Sequence, residues 1–445
     1  MLRKGRVTCF SSSFGTTQHL AKRDLAVSEP KATLSFEEVS STVSTKLEIP
    51  VYSEFEHTLE YVAQSDGKIV YAYKFQLRND LVTKWIEVWC DTTTGEIIQA
   101  VNFANKASYR VIERPRRNPT EGFSMVYRRS VEKPTRRKWT DGDATNGNNI
   151  ITLTPSGRTT RPIRDDVFDT EFNSKEDPGT DANLAAAAVN LFYITNMMHD
   201  ISARYGFTES AGNFQKDNFD EGGKGGDAVV INVLNPSKTN GADFMTPPDG
   251  HPAVMNMYRY TTATPNRSGG LDNTVIVHEY THGISHRLTG GASSSWCLST
   301  AEARGMGEGW SDVMALIFLA KSSDTAATRI PIGASQSHYV GEVWASMLWE
   351  VYWNLVSKHG FATNLYKADQ SEGNIVTMKI IIGAMMLQPC NPTFLSARDA
   401  IVAADALHYQ GANKCEILKG FAKRGLGFKA TSSYSNDFSL PPECQ

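Results

Sequence analysis

The chain has 445 residues, of which 21% are charged and 40% hydrophobic, with a formal net charge of −3. This length allows two or three domains with substantial cores, and the composition is that of ordinary globular proteins. A charge so near neutrality argues against nucleic acid or another polyanion as a partner. No apolar run approaches the roughly 18 residues of a membrane-spanning helix, so we expect no membrane partner.

The beginning of the chain changes character at about residue 36. Residues 1–35 are polar and rich in Ser and Thr, without periodicity, which predicts disorder. No continuous apolar stretch follows the basic start, so the sequence contains no convincing signal peptide. Residues 36–49 then suit a short helix. Alternating apolar and polar residues predict strands at 68–77, 84–90 and 96–101.

Arg and Pro cluster at 102–118, which predicts a domain boundary, and the pattern changes again after it. Strand-like segments alternate with turn residues up to about 180. Residues 181–205 carry a wide apolar stripe, which predicts a long helix with Asp181 as its N-cap. His199 near the end of this helix is expected to be a packed residue rather than a ligand. Further strands are predicted at 228–233 and 255–262.

The segment 275–283 has an H-E-x-x-H pattern behind an apolar run. On a helix, His278 and His282 leave the same face one turn apart. Two imidazoles at that separation can hold one Zn²⁺. Glu279 is rotated away from this ligand line, so it is placed to act on water as a general base.

A hydrolytic zinc site needs a third protein ligand and an open position. The metzincin pattern would require a histidine where this chain has Leu288. His286 falls on the same broad face as His278 and stays a weak alternative ligand. We expect Gly283 to loosen or end the helix before His286.

A glutamate on a following helix is the preferred third ligand. Glu308 lies in the glycine-rich segment 305–309, and Asp312 follows it by one helical turn. Asp312 could accept the N–H of a ligating histidine, most simply that of His278. The glycines are expected to let this helix pack close to the helix that carries the histidines.

These segments resemble the fungalysin family of secreted zinc metalloendopeptidases, which are relatives of thermolysin. The resemblance covers roughly residues 107–430, with a weaker likeness upstream. It is carried by HEYTHGISHRLTGG at 278–291, GMGEGWSD at 305–312, NLFYITNMMHDISARYGFTESAGNFQ at 190–215, TPPDGHP at 246–252, VWASMLWEVYWNLV at 343–356, LQPCNPTFLSARDAI at 387–401 and NKCEILKGFAKRGLG at 413–427.

The resemblance implies an α+β fold of the thermolysin-like zincin type. It implies a β-rich N-terminal lobe at 107–282, a helical C-terminal lobe at 283–445, and the active-site helix between them. Residues 36–106 resemble a truncated propeptide domain, preceded by the disordered segment 1–35. The implied protein is an extracellular monomer with one Zn²⁺ per chain. It acts on proteins or peptides, and its own propeptide is the inhibitor.

Three further features follow from the resemblance alone. His338 stands where the family has a histidine that stabilises the oxyanion. Residues 240–244 resemble the edge strand that binds the substrate backbone, which implicates Ala242 and Asp243. The family leads us to expect Asn at 243, and a carboxylate cannot donate as an amide does, so subsite preference should shift. The link 320–337 is shorter than in the family.

Two functions of different classes are consistent with these residues. One is a zinc endopeptidase made as a zymogen, with Glu279 as general base and His338 as oxyanion donor. The other is a zinc-binding pseudopeptidase that binds peptides or partners, its cleft disabled by the short link. An incomplete gene model of an active enzyme would look the same. All the catalytic residue types are present, which favours the enzyme.

The C-terminal part is predicted to be helical, with helices at 341–358, 374–387, 393–410 and 413–424 before a tail of about twenty residues. Four of the six cysteines lie in this half of the chain, and none forms a C-x-x-C pair. A thiolate zinc site is therefore not expected. A disulfide between Cys390 and Cys415 is predicted, because it would clip the last helices together.

Overall fold

The structure, a computed structural model, describes most of the chain in two compact units. The described residues are 2–3, 6–7, 28–53, 55–64, 68–79, 85–102, 107–127, 139–140, 144–163, 167–328 and 339–445. The units are Met1–Ala104 and Asn105–Gln445. Both contain helix and sheet, which confirms the mixed α+β class.

Within its described residues, the first unit combines one helix with a four-stranded antiparallel sheet. Its elements are β1 (Leu2–Arg3), β2 (Arg6–Val7), α1 (Phe36–Leu47), β3 (Thr58–Ala63), β4 (Ile69–Arg78), β5 (Trp85–Asp91) and β6 (Ile97–Asn102), with β3 to β6 in sequential order in the sheet. A capping box starts α1, because the side chains of Ser35 and Glu38 each accept the other's backbone N–H. Val39 and Val43 on α1 share a core with Phe75 of the sheet.

Part of the segment expected to be disordered is bonded to this sheet. The amide of Ser28 donates to the carbonyl of Ile69 at 2.9 Å, and the amide of Leu34 donates to that of Thr92, also at 2.9 Å. Residues 28–35 are therefore held by backbone hydrogen bonds. Apart from the backbone of β1 and β2, the earlier part of that segment lies outside the described residues.

The second unit holds two sheets, a short hairpin and seven helices within its described residues. Its strands are β7 (Ser108–Val111), β8 (Ser124–Tyr127), β9 (Ile150–Leu153), β10 (Val167–Phe168), β11 (Val229–Asn232), β12 (Ala242–Met245), β13 (Val254–Met257), β14 (Arg259–Tyr260) and β15 (Arg267–Ser268). Its helices are α2 (Asp181–Tyr205), α3 (Asn273–Leu288), α4 (Ala301–Phe318), α5 (Tyr339–His359), α6 (Gly373–Leu387), α7 (Phe394–Tyr409) and α8 (Lys414–Lys423).

The strands precede the helices, apart from α2, so sheet and helix segregate along this unit. One sheet has the order β10-β7-β8 and the other the order β12-β13-β11-β9. In the second sheet β9, β11 and β13 run parallel, and β12 pairs antiparallel with β13 at the edge. No helix in the described part of the chain is long and apolar enough to cross a membrane.

Helix α2 spans the residues predicted and is buried on nearly all sides. Its N-cap is Thr180, not Asp181 as predicted, and Asp181 is the first helical residue. An acidic side chain still suits that position because of the partial positive charge at a helix N-terminus. His199 is packed as expected, with Nδ1 at 3.3 Å from Oδ1 of Asp200 and Nε2 at 3.4 Å from Nε2 of Gln215.

Two buried side chains anchor the ends of α3, and the sequence reasoning missed both. Nδ2 of Asn273, at the first turn, donates to the carbonyls of Ile112 and Arg116 at 2.7 and 2.8 Å. Nη1 of Arg287, at the last turn, donates at 2.8 Å to Oδ2 of Asp227 and to the carbonyl of Gly212. Arg287 is fully buried. The one sequence signal for this role of Arg287 was the presence of a charged residue on an otherwise buried helix.

Two disulfides, Cys297–Cys390 and Cys415–Cys444, are present in place of the predicted Cys390–Cys415 bridge. That prediction was wrong because the fold brings the loop after α3 against the end of α6. The Cα atoms of Cys297 and Cys390 lie 4.4 Å apart there. Cys90 is a buried free thiol, and burial raises its pKa to about 12.

The last twenty residues fold back onto the helical region, so the prediction of a tail was wrong. The amide of Gly427 donates to the carbonyl of Asp437 at 2.7 Å, and that of Phe428 donates to the carbonyl of Ser439 at 2.8 Å. The Cys415–Cys444 disulfide then ties the end of this segment to α8.

Candidate metal centre

Helix α3 brings the two histidines of the H-E-x-x-H segment to one place. Asp272 caps the helix by accepting the amide of Thr274 at 2.9 Å. His278 and His282 follow on one face, and their Nε2 atoms lie 3.1 Å apart. Both rings are largely buried, with side-chain exposures of 9% and 14%. The predicted helical spacing is therefore realised.

Helix α4 supplies the third group. Oε2 of Glu308 lies 3.2 Å from Nε2 of His278 and 3.3 Å from Nε2 of His282. These three residues form the one group of at least three potential ligands found among the described His, Cys, Asp and Glu side chains. Their donor atoms make a nearly equilateral triangle.

The triangle has the size that zinc requires. Donors at about 2.0–2.1 Å from a tetrahedral ion lie about 3.3 Å apart, which matches the observed 3.1–3.3 Å. Two imidazoles and one carboxylate are also a common donor set of hydrolytic zinc sites. The residues therefore fit the metal.

Asp312 contacts His278 on the side of the ring that faces away from this triangle. Its Oδ1 lies 2.8 Å from Nδ1 of His278, so Nδ1–H donates to Asp312 and Nε2 is directed to the site. Burial opposes the charged imidazole, but the hydrogen bonds with Asp312 and Glu308 outweigh burial and raise the pKa of His278 to about 10. For Glu308, burial is likewise outweighed by its two histidine contacts, and its pKa falls far below the usual range. A divalent cation would take the place of the protons held here.

Glu279 is close to the triangle but is not part of it. Its side chain is buried, and Oε2 has no hydrogen-bond partner among the described residues. Burial raises its pKa, although the charges of His282 and His278 act against the shift. A buried, unpartnered carboxylate oxygen with a raised pKa is suited to accept a proton from water during a reaction.

Comparison with known proteins agrees with this geometry. The model of the fungalysin metallopeptidase family matches residues 108–337 and 329–430, together well over half of the chain. The chain belongs to the fungalysin family.

Several curated relatives support this membership. The fungalysin is 35% identical to Extracellular metalloproteinase 9 of Coccidioides posadasii, over all of this chain and 81% of the relative. It is 37% identical to Extracellular metalloproteinase MEP of Leptosphaeria maculans, over 87% of this chain and 69% of the relative. A further relative is Extracellular metalloproteinase mep of Aspergillus fumigatus, 35% identical over 97% of this chain and 74% of the relative. All three relatives are named metalloproteinases, which favours an active endopeptidase over a pseudopeptidase.

His286 does not join the donor triangle of this fungalysin. It lies on α3 beyond His282, with Nδ1 at 3.3 Å from the carbonyl of Ser295. Burial lowers its pKa to about 4, so it is neutral at pH 7. The prediction that the helix loosens or ends at Gly283 was wrong, because α3 continues to Leu288. Instead, a Cβ at Gly283 would lie 2.8 Å from the ring of Phe244, so this glycine lets β12 approach α3.

Two of the three glycines around Glu308, Gly305 and Gly309, pack on α5, not on α3 as predicted. A Cβ at Gly305 would lie 2.4 Å from Cβ of Val340, and one at Gly309 would lie 2.5 Å from the carbonyl oxygen of Gly341. A Cβ at Gly307 would meet Leu298 at an ordinary 3.7 Å. Helices α4 and α5 therefore cross in near-backbone contact beside Glu308.

The edge strand predicted beside the cleft is β12, and its free side has no partner strand among the described residues. The amide of Tyr258 donates to the carbonyl of Gly241 at 3.3 Å. Antiparallel pairs alternate between bonded and non-bonded positions, so Asp243 bonds inward to β13. Ala242 and Phe244 direct their N–H and C=O groups to the open edge.

The side chain of Asp243 is engaged within the protein. It accepts from Nδ2 of Asn256 at 2.7 Å, from Nζ of Lys238 at 2.9 Å and from the hydroxyl of Tyr258. Burial opposes ionisation of Asp243, but these three donors outweigh it and lower its pKa. The carboxylate thus pairs with internal donors, which accounts for an acidic residue at this position.

His338 and the second half of the predicted short link, residues 329–337, lie outside the described residues, which resume at Tyr339. The assignment of His338 to the oxyanion therefore stays a prediction. The two family matches overlap at 329–337, within the link that the sequence indicates to be short.

Proposed function

We propose that this fungalysin is a secreted zinc endopeptidase that cleaves internal peptide bonds and is made as a zymogen. The observation that carries the proposal is the triangle of His278, His282 and Glu308 with the unpartnered oxygen of Glu279 beside it. Secretion is proposed from the extracellular names of the relatives.

His278, His282 and Glu308 would hold one zinc ion per chain. When bound, the ion supplies a Lewis acid that lowers the pKa of water and polarises a peptide carbonyl. Asp312 holds His278 in the tautomer that directs Nε2 to the site. Loss of such a supporting carboxylate typically costs about 10–100-fold in metal affinity or activity.

Glu279 acts as the general base. It takes a proton from the attacking water at its free Oε2 and later gives that proton to the leaving amine. Proton transfer of this kind is typically worth about 10²–10⁴ in rate. His338 would stabilise the developing oxyanion, as its place in the family pattern implies. One such donor is typically worth about 10²–10³.

The open edge of β12 would bind the substrate as an added strand. Ala242 and Phe244 offer backbone groups there, so Phe244 takes the backbone role first assigned to Asp243. Main-chain pairing of this kind accepts many sequences in extended form. Proteins and unstructured peptides are therefore the proposed substrates. We propose no nucleic-acid or membrane partner, and we propose that the protein acts as a monomer.

The first unit would serve as the propeptide and inhibit the second until a cleavage separates them. The boundary between the units falls at 104–105, and residues from Ala107 onward belong to the core of the second unit. Cleavage inside β7 would break the sheet that contains it, so processing is expected before Ala107.

The test is casein hydrolysis by the zinc-loaded full chain, before and after limited proteolysis that cuts ahead of Ala107. Zinc content is measured in the same samples by atomic absorption. The proposal expects one zinc per chain, chelator-sensitive cleavage and a rise in activity after processing. One bound zinc with no cleavage after processing would contradict the endopeptidase, and full activity before processing would contradict the zymogen.

A further inference from the structure

Gly341, at the start of α5, lies directly against the part of α4 that carries the proposed third ligand, Glu308. A Cβ at Gly341 would lie 2.6 Å from Cβ of Glu308, 2.9 Å from the carbonyl oxygen of Gly305 and 3.0 Å from the amide nitrogen of Gly309. Carbon atoms in contact normally lie about 3.5–4.0 Å apart. A methyl group at position 341 therefore cannot fit unless Glu308 or one of the two helices moves.

Helix α5 has little freedom to move away from α4, because α8 packs closely against it as well. A Cβ at Gly420 of α8 would lie 2.7 Å from the backbone nitrogen of Val351 on α5. Trp344 of α5 is fully buried, with ring centroids 5.1 Å from Trp310 of α4 and 5.6 Å from Phe421 of α8. Strain at Gly341 is therefore directed into α4.

A displacement of Glu308 would matter because zinc tolerates little error. Ligand distances in zinc sites hold to within about 0.2 Å. Relief of the contact between a methyl at 341 and Glu308 would require a shift of about 1 Å, the difference between 2.6 Å and ordinary contact. His278 and His282 sit on another helix and would not follow such a shift.

We infer that Gly341 is a positioning residue for the metal site: its missing side chain sets where Glu308 stands relative to the two histidines. The inference rests on the proposed zinc site. Helix α5 would then affect metal affinity through the position of Glu308 and not through a side chain that binds the ion.

The test compares three glycine-to-alanine variants of the full chain. Gly341→Ala introduces the contact with Glu308. Gly307→Ala is the matched control beside the ligand, since its methyl would meet only an ordinary contact at 3.7 Å. Gly420→Ala is the matched control for packing, since its methyl would clash with α5 at 2.7 Å, at Val351 rather than at the ligand.

Three quantities are measured for each variant: the zinc dissociation constant by competition with a chromophoric chelator, the visible spectrum of the Co²⁺ form, and the melting temperature of the metal-free protein. Gly341→Ala is expected to weaken zinc binding about 10–100-fold, the range seen when a group that orients a ligand is lost. Its Co²⁺ spectrum should change. Gly307→Ala should keep both properties, and Gly420→Ala should lower the melting temperature while keeping zinc affinity.

Wild-type zinc affinity in Gly341→Ala, with a lowered melting temperature, would overturn the inference and leave Gly341 a packing residue. An equal loss of zinc affinity in Gly420→Ala would overturn it too. If the wild-type chain itself binds no zinc, the proposed function fails first. Should Gly341→Ala not fold, Gly305→Ala carries the test, because its methyl would lie 2.4 Å from Cβ of Val340 and so would strain the same crossing of α4 and α5, next to Gly341. Val340 is exposed, so this contact lies outside the core. A smaller loss of zinc affinity is then expected, and wild-type affinity would overturn the inference.

Discussion

Replacement of Glu279 by Gln removes the proposed base while keeping the volume and one oxygen of the side chain. Glu279 is not among the three donors that lie close enough together to hold an ion, so the variant should bind one zinc per chain. Its Oε2 has no other partner among the described residues, so no structural hydrogen bond of that atom is lost. The turnover rate should fall by the factor that such proton transfer typically contributes, about 10²–10⁴, which corresponds to about 3–5 kcal/mol in the activation free energy.

The same variant makes a prediction about stability. Burial raises the pKa of Glu279, so the folded metal-free protein binds this proton more tightly than the unfolded chain does. The stability contributed by this group is therefore present at low pH and is lost as pH rises through its folded pKa. Gln cannot ionise, so metal-free Glu279→Gln should be at least as stable as the wild type at pH 7, and the gap should close in acid.

The assay is hydrolysis of a quenched fluorescent peptide by zinc-loaded protein, with zinc content and metal-free melting curves measured in parallel. Glu176→Gln is the matched control, because Glu176 is exposed and the charge change is the same. Activity within about tenfold of wild type at full zinc content would refute the base assignment. Loss of zinc from Glu279→Gln would show instead that the carboxylate belongs to the ligand set.

Four other variants test the remaining site residues and the disulfide near them. Glu308→Ala should lose stoichiometric zinc whereas His286→Ala should keep it; the reverse result in a dialysed metal assay would make His286 the third ligand. Asp312→Ala should weaken zinc about 10–100-fold with the helices intact by circular dichroism, and unchanged affinity would remove its supporting role. Replacement of both Cys297 and Cys390 by Ser opens a loop of sequence separation 93 and should cost about 2–5 kcal/mol in urea unfolding. A cost below about 1 kcal/mol would show that packing alone holds the loop after α3.

Local sequence determined the elements that carry the chemistry. The spacing of His278 and His282 required only a helix to put both rings on one face, because helical geometry repeats within one turn. The same local rule placed Asp312 on the face of Glu308. The long periodic segment 181–205 was predicted to the residue, since its apolar stripe is a property of the segment itself.

Glycines and cysteines were interpreted less well, because their roles depend on what lies opposite. Gly283 was expected to end its helix, yet the helix continues and the missing side chain admits Phe244. Cys390 was paired with the wrong partner, since no local rule says which thiol a fold will bring to within a few ångströms. Asp243 was expected to face the substrate, but the strand register turns its backbone inward.

The sequence by itself therefore predicted three candidate ligands and a base, because those follow from residue types at helical spacing, and its motifs indicated the family. Only the tertiary structure decided that Nε2, Nε2 and Oε2 meet in a triangle of 3.1–3.3 Å. That distance depends on how α3 and α4 are held, by Arg287 and Asn273 at the ends of one helix and by Gly341 against the other. Such contacts join residues far apart in the chain, and no pattern within one segment encodes them.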